Sequence, residues 1–187
     1  MRRAAQVAVF LCQFGWFLLP AASQAIHVQG PRPRAAMAVS SLTLTATPSF
    51  VHFDLVEHGV SAGSGPIQVT TRWGGSLCLI TCTIRVYGYF PSASSALAGG
   101  SPRISIPSSA VLGRVTNGST PVFTPFTGTS PFGVSGSSLL LSSHNFFFLT
   151  FGGSQTDTLD LEIDLTHQRS LPAGTFSGIL YLQAQSF

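Results

Sequence analysis

The sequence contains no lysine and very little charge of either sign. Nine arginines and six acidic residues together make up 8% of the 187 residues. Arg2 and Arg3 lie in a predicted targeting segment, and without them seven arginines face six acids, a formal charge of +1. A nearly neutral domain offers no basic surface for phosphates, so we expect no nucleic-acid partner.

Long apolar runs are also missing, with one exception at residues 7–19. This run follows Arg2 and Arg3 and precedes the small residues 22–25, which is the pattern of a secretory signal cleaved after Ala25. An uncleaved anchor is the rival interpretation, but the run is short for a membrane span. We predict a signal peptide at 1–25 and no membrane span after cleavage. The mature chain would be secreted, to the periplasm or cell surface.

Helical periodicity is absent after the signal. No segment keeps apolar residues at i, i+3, i+4 and i+7 for two turns. Short alternating segments instead recur at spacings of roughly 8–12 residues between Gly, Pro and Asn turns, which is typical of an all-β sandwich. We therefore predict about 7–10 strands in a domain at 42–187, preceded by a loose N-terminal arm at 26–41 that contains Pro31 and Pro33.

The C-terminal third alternates most strictly. One predicted strand turns Leu159, Leu161, Ile163 and Leu165 to one side, and the last strand does the same with Phe176, Leu180, Leu182 and Ala184. The loop at 171–175 contains Pro172 and Gly174, which suit a chain reversal. Both strands need further sheet to cover their apolar faces.

Catalytic and metal-binding constellations are not evident. The histidines are scattered without ligand spacing, and no serine lies in a Gly-x-Ser-x-Gly motif. The acids Asp160, Glu162 and Asp164 alternate along one strand, with ~7 Å between neighbours, and we interpret them as a solvated face. We predict a non-enzymatic protein with no catalytic residues, no cofactor and no metal.

Three cysteines are present, and Cys12 lies in the predicted signal. In a straight strand Cys78 and Cys82 would be ~13 Å apart, whereas a disulfide needs Cα atoms within ~4.4–6.8 Å. A bridge between them therefore requires the chain to turn. The sequence leaves both a Cys78–Cys82 disulfide and two free thiols open.

Three tyrosines form the candidate binding face. Alternation places Tyr87, Tyr89 and Tyr181 on the outward sides of their strands. There they could stack on sugar rings or contact a protein partner, and the alternative is that another loop or strand covers them.

The segment from Leu171-Pro172-Ala173-Gly174-Thr175 to Ala184 resembles the closing strand of bacterial fimbrial and spore-coat-U-like secreted domains. These domains end in an "lPAGtY-x-g-x-l-x-v" pattern, and residues 45–53 resemble one of their opening strands. The resemblance implies an immunoglobulin-like sandwich that acts as a structural or adhesive subunit of a surface fibre. Such subunits accept a strand from a neighbour, and Ile26 and Val28 would then form the donor segment. The implied partners are further copies or other fibre subunits, and a periplasmic chaperone.

A second hypothesis needs no fibre. The domain could be a self-contained extracellular or periplasmic module that binds a carbohydrate or a protein through Tyr87 and Tyr89.

Overall fold

The computed structural model describes residues 24–29, 41–74, 81–129, 135–147 and 152–187. These residues form two β-sheets around one apolar core, so the predicted all-β sandwich is confirmed. The immunoglobulin-like topology stays a prediction. In chain order the strands are β1 (Gln24–Gln29), β2 (Ser41–Thr47), β3 (Phe50–Phe53), β4 (Val60–Ala62), β5 (Ile67–Gly74), β6 (Thr81–Tyr89), β7 (Leu97–Gly99), β8 (Ile104–Ile106), β9 (Val111–Val115), β10 (Thr124–Pro125), β11 (Ser138–Phe147), β12 (Gly152–Asp164) and β13 (Phe176–Ser186), with a short 3₁₀ helix at Ser108–Ala110.

The first sheet has the strand order β11-β6-β13-β1-β3, and β7 joins it by pairing with β13 and β8. The second sheet has the order β10-β9-β12-β5-β2, with β4 paired to β12. Pairing is antiparallel between all these neighbours except β1 and β13, which run parallel. Consecutive strands β12 and β13 lie in different sheets, so the loop between them passes from one sheet to the other.

Thirteen described strands exceed the predicted 7–10. Five of them, β3, β4, β7, β8 and β10, are only two to four residues long. Alternation becomes recognisable over four to eight residues, so the pieces of two or three residues carry almost no sequence signal. The eight longer strands fall within the predicted range.

The apolar faces of β12 and β13 lie as predicted. Leu159 and Ile163 on β12 and Leu180 on β13 are fully buried, and their polar neighbours face outward. The loop before β13 depends on glycine, because Gly174 has φ 147°, a backbone conformation that side chains disfavour. A Cβ at Gly178 would collide with the backbone carbonyl of Ala96, so the glycine of the closing motif allows the chains to pass closely.

The first strand is not part of a loose arm. β1 lies in the interior of the first sheet, between β13 and β3, with Ile26 fully buried and Val28 4% exposed. The prediction of an arm starting at residue 26 is therefore wrong for residues 26–29, which bury two apolar side chains in the core. The predicted cleavage site after Ala25 lies within this strand.

One part of the sandwich interior is polar. Thr71 on β5 and Ser142 on β11 are both fully buried, and within the described part of the chain neither hydroxyl has a hydrogen-bond partner. A buried polar group without a partner costs about 1–3 kcal/mol of stability.

We predict that Thr71→Val stabilises the fold. Valine has nearly the same shape as threonine but carries no hydroxyl to desolvate, so the free energy of unfolding should rise by about 1 kcal/mol. Urea denaturation measures the change. Thr70→Val is the matched control, because the Thr70 hydroxyl lies within hydrogen-bond distance, 2.8 Å, of the Thr156 hydroxyl. Removing it should not raise the free energy of unfolding. Destabilisation by Thr71→Val would contradict an unpaired hydroxyl.

Candidate functional site

The place that β1 fills in the first sheet is the first candidate site. Val28 lies opposite Leu180 of β13, and Ile26 lies opposite Val51 of β3. The backbone N–H of Val28 also donates to the carbonyl of Ser49 at 2.9 Å. Without β1, both β13 and β3 would present open edges beside an apolar gap, which is the situation in which a sheet accepts an added strand. The predicted donor residues Ile26 and Val28 therefore lie at the position that an added strand would occupy. Here their own chain supplies them.

The predicted tyrosine face lies on the outward side of the first sheet, and two of its members meet there. Tyr89 on β6 pairs directly with Tyr181 on β13, and their rings stack with centroids 5.4 Å apart. Both side chains are half-buried. Tyr87 shares their face but is only 9% exposed, so its prediction as an exposed contact residue is wrong. It lies on β6 between Leu140 of β11 and Gln183 of β13.

The electrostatics of the tyrosine pair follow from its burial. Desolvation raises the pKa of the Tyr89 phenol above its ordinary value of 10.0, and the neighbouring Tyr181 raises it further. The folded protein therefore holds this phenol neutral beyond the pH at which an unfolded tyrosine ionises.

The predicted acidic face lies outward on β12, but it is not fully solvated. The Arg114 guanidinium on β9 donates to Asp160 Oδ2 from Nε at 3.2 Å and from Nη2 at 2.9 Å. The Phe123 ring lies 4.4 Å from Arg114 Cζ, and together they line a groove of about 140 Å³. Burial raises the pKa of Glu162, which also lines the groove, although Arg114 acts in the opposite direction.

A further polar pair links the two sheets. His144 Nε2 on β11 lies 3.2 Å from Asp157 Oδ2 on β12, and the Asp157 side chain is 2% exposed. The Gln155 amide donates to the other Asp157 oxygen at 3.4 Å. Sequence reasoning missed this pair, although the alternation that turns Leu159 inward also turns Asp157 inward. The partner histidine comes from the opposite sheet, which periodicity along one strand does not show.

Cysteine and metal predictions are tested only in part. Cys82 is buried and disulfide-bonded. Cys78, its predicted partner, lies outside the described residues, so the Cys78–Cys82 pairing stays a prediction. Among the residues that the structure describes, no three His, Cys, Asp or Glu side chains converge as metal ligands would. The same residues contain no helix of the length and apolarity needed to cross a membrane.

Comparisons of the sequence with protein-family models and with curated proteins find no match. The likeness of the closing strand to fimbrial and spore-coat-U-like domains therefore remains a hypothesis.

We predict that Asp157→Ala destabilises the protein strongly. The change leaves His144 between the sheets without its carboxylate partner, and losing a hydrogen bond to a carboxylate costs about 1.5–3 kcal/mol. Urea denaturation measures the loss, and Asp54→Ala at an exposed position is the control, with an expected change of under about 0.5 kcal/mol. The double variant His144→Leu/Asp157→Leu should recover much of the stability. Equal effects of Asp157→Ala and Asp54→Ala would contradict the inter-sheet link.

We predict that the protein loses stability as the pH rises above about 10. In that range unfolded tyrosine releases its proton while folded Tyr89, whose pKa is raised, keeps it, so rising pH favours the unfolded chain. The absence of lysine makes the tyrosines the main groups titrating there. Urea unfolding between pH 8 and 11 should show the loss, and Tyr89→Phe should reduce it. Tyr181→Phe should reduce it less, because burial is the larger cause. An unchanged pH dependence in Tyr89→Phe would contradict the assignment.

Proposed function

We propose that this chain is a secreted, non-enzymatic structural or adhesive protein that assembles at a cell surface by exchanging β1 between copies. The observation that carries the proposal is the position of β1. It is a short strand, separated in sequence from β2 by residues 30–40, and it fills an interior place in the first sheet. The same strand from a second copy would make the same contacts.

The contacts of β1 suit such an exchange. The strand pairs along both of its edges, with β13 and with β3, and both inward side chains are buried. Full burial of an aliphatic side chain contributes about 1.5–3 kcal/mol. β1 therefore combines main-chain hydrogen bonds with two apolar anchors, which is how strand addition gains its affinity and register.

The likeness of the closing strand to fimbrial domains supports the same proposal. The proposal also includes an immunoglobulin-like topology for the sandwich. The proposal includes export by the signal at 1–25, assembly with further copies or other fibre subunits, and a periplasmic chaperone that protects the open place before assembly.

A self-contained binding module is the second candidate. Two observations favour it: β1 of the same chain already closes the core, and Tyr89 and Tyr181 form a stacked, half-exposed pair on the outward face. Such a module would bind its ligand as a monomer in the periplasm or outside the cell.

We predict that Val28→Asp abolishes assembly. The change places a carboxylate at a position that is 4% exposed, so β1 can no longer bury its inward face in either its own or another copy. Size-exclusion chromatography with light scattering, on protein exported with its own signal, measures the oligomers. His27→Asp is the matched control, because His27 lies on the outward side of the same strand and the variant should still assemble.

Two outcomes would contradict strand exchange. Normal assembly by Val28→Asp would exclude residues 26–29 as the donor. A wild-type chain that stays a cooperative monomer at every concentration would identify the binding module instead. As a second measurement, a synthetic peptide of residues 24–29 should shorten wild-type oligomers, and a peptide carrying Val28→Asp should not.

A further inference from the structure

An aromatic band crosses the outward face of the first sheet. We define it by five side chains from four neighbouring strands: Phe50 on β3, His27 on β1, Ile179 and Tyr181 on β13, and Tyr89 on β6. His27 pairs with Phe50 on one side and with Ile179 on the other, and Tyr181 pairs with Tyr89. The four strands span about 14 Å.

Four members of the band are in contact in two pairs, and two members are open to solvent. The His27 and Phe50 rings lie 4.7 Å apart, and the tyrosine rings stack at 5.4 Å. Phe50 is 53% exposed and Ile179 is 37% exposed. A contiguous apolar patch of this kind, with polar groups around it, marks a surface that binds something.

The band itself contains no carboxylate, ammonium or guanidinium group, and the imidazole of His27 is its one basic side chain. Arg85 also lies on the outward side of β6, where its Cζ is 5.0 Å from the Phe187 ring centroid. The polar groups nearby are the tyrosine hydroxyls and the Gln183 amide, which pairs in register with Tyr87 beside the stack.

Two polar atoms on the same face lack partners. His27 Nδ1 and Gln185 Oε1 are covered by neighbouring side chains, and among the described residues neither has a hydrogen bond. Both atoms lack solvent-accessible surface, so a ligand on this face could reach them only after neighbouring side chains moved.

We propose that the aromatic band binds a neutral oligosaccharide. Aromatic faces suit the C–H faces of sugar rings, and hydroxyl and amide groups suit sugar hydroxyls, whereas a charged ligand would find no carboxylate, ammonium or guanidinium group in the band. The width of the band fits a chain of several sugars better than a single ring.

The site is complete only while β1 occupies its place, because His27 lies in the middle of the band. This feature rests on the proposed strand exchange: in an assembled fibre, His27 would come from the neighbouring copy and the site would cross the boundary between two subunits. Sugar binding would then stabilise β1 in its place, since any ligand that binds one state shifts the equilibrium toward it.

Isothermal titration calorimetry on the full exported chain with cellohexaose and chitohexaose tests the proposal. At least one of them should bind. Tyr181→Ala should weaken binding about tenfold by removing half of the stack, and His27→Ala should weaken it about threefold. Phe123→Ala, which alters the groove on the second sheet, is the matched control and should leave binding unchanged.

Failure of binding by both sugars, or binding that survives Tyr181→Ala, would overturn the proposal. Tighter binding of oligogalacturonate, a charged probe, would overturn the neutral ligand. Oligomers that dissociate in Tyr181→Ala would identify a second copy as the occupant of the band. These results are separable from failure of strand exchange, which Val28→Asp and light scattering report without any sugar.

Discussion

The burial of Ile26 and Val28 between β13 and β3 holds the first sheet together. β3 pairs with β1 along one edge, and in the described sheet its connection to β13 passes through β1. The core side chains of β3, Val51 and Phe53, therefore depend on β1 for their place beside the rest of the sheet. The six-residue strand β1 thus decides whether the sandwich has a closed core or an open apolar gap. Both proposed functions depend on whether this strand comes from the same chain or from a second copy.

The scarcity of charge shapes how the remaining charges are used. Arg114 is held by both Asp160 and the Phe123 ring, and Arg85 lies against the Phe187 ring. Guanidinium groups stack on aromatic rings and form planar pairs with carboxylates, uses for which lysine is poorly suited. A chain that has arginine but no lysine can therefore place its cations on aromatic rings as well as on carboxylates, as Arg114 does.

Sequence alternation predicted strands such as β12 and β13 because period two is visible in them, and Leu159 and Ile163 of β12 are buried as expected. Prediction from alternation failed where a strand is too short to show a period, and where a contact joins two strands. β4 and β7 have three residues each, too few to show a period. β1 alternates at Ile26 and Val28, but the prolines that follow favoured an arm. The His144–Asp157 pair joins residues of different sheets, and the burial of Tyr87 on the outward face goes beyond alternation, so both are properties of packing that one strand's pattern does not contain.

The choice between a closed monomer and an exchanged fibre does not depend on the contacts of β1, because they are the same in both. It depends on the segment at 30–40. A short connection gives its own strand an effective concentration in the millimolar range, so self-insertion prevails in dilute solution unless the connection cannot span the path. Self-insertion would compete with exchange in a fibre subunit, so assembly would require a chaperone that occupies the place of β1 until another copy arrives, whereas a binding module would need no such partner.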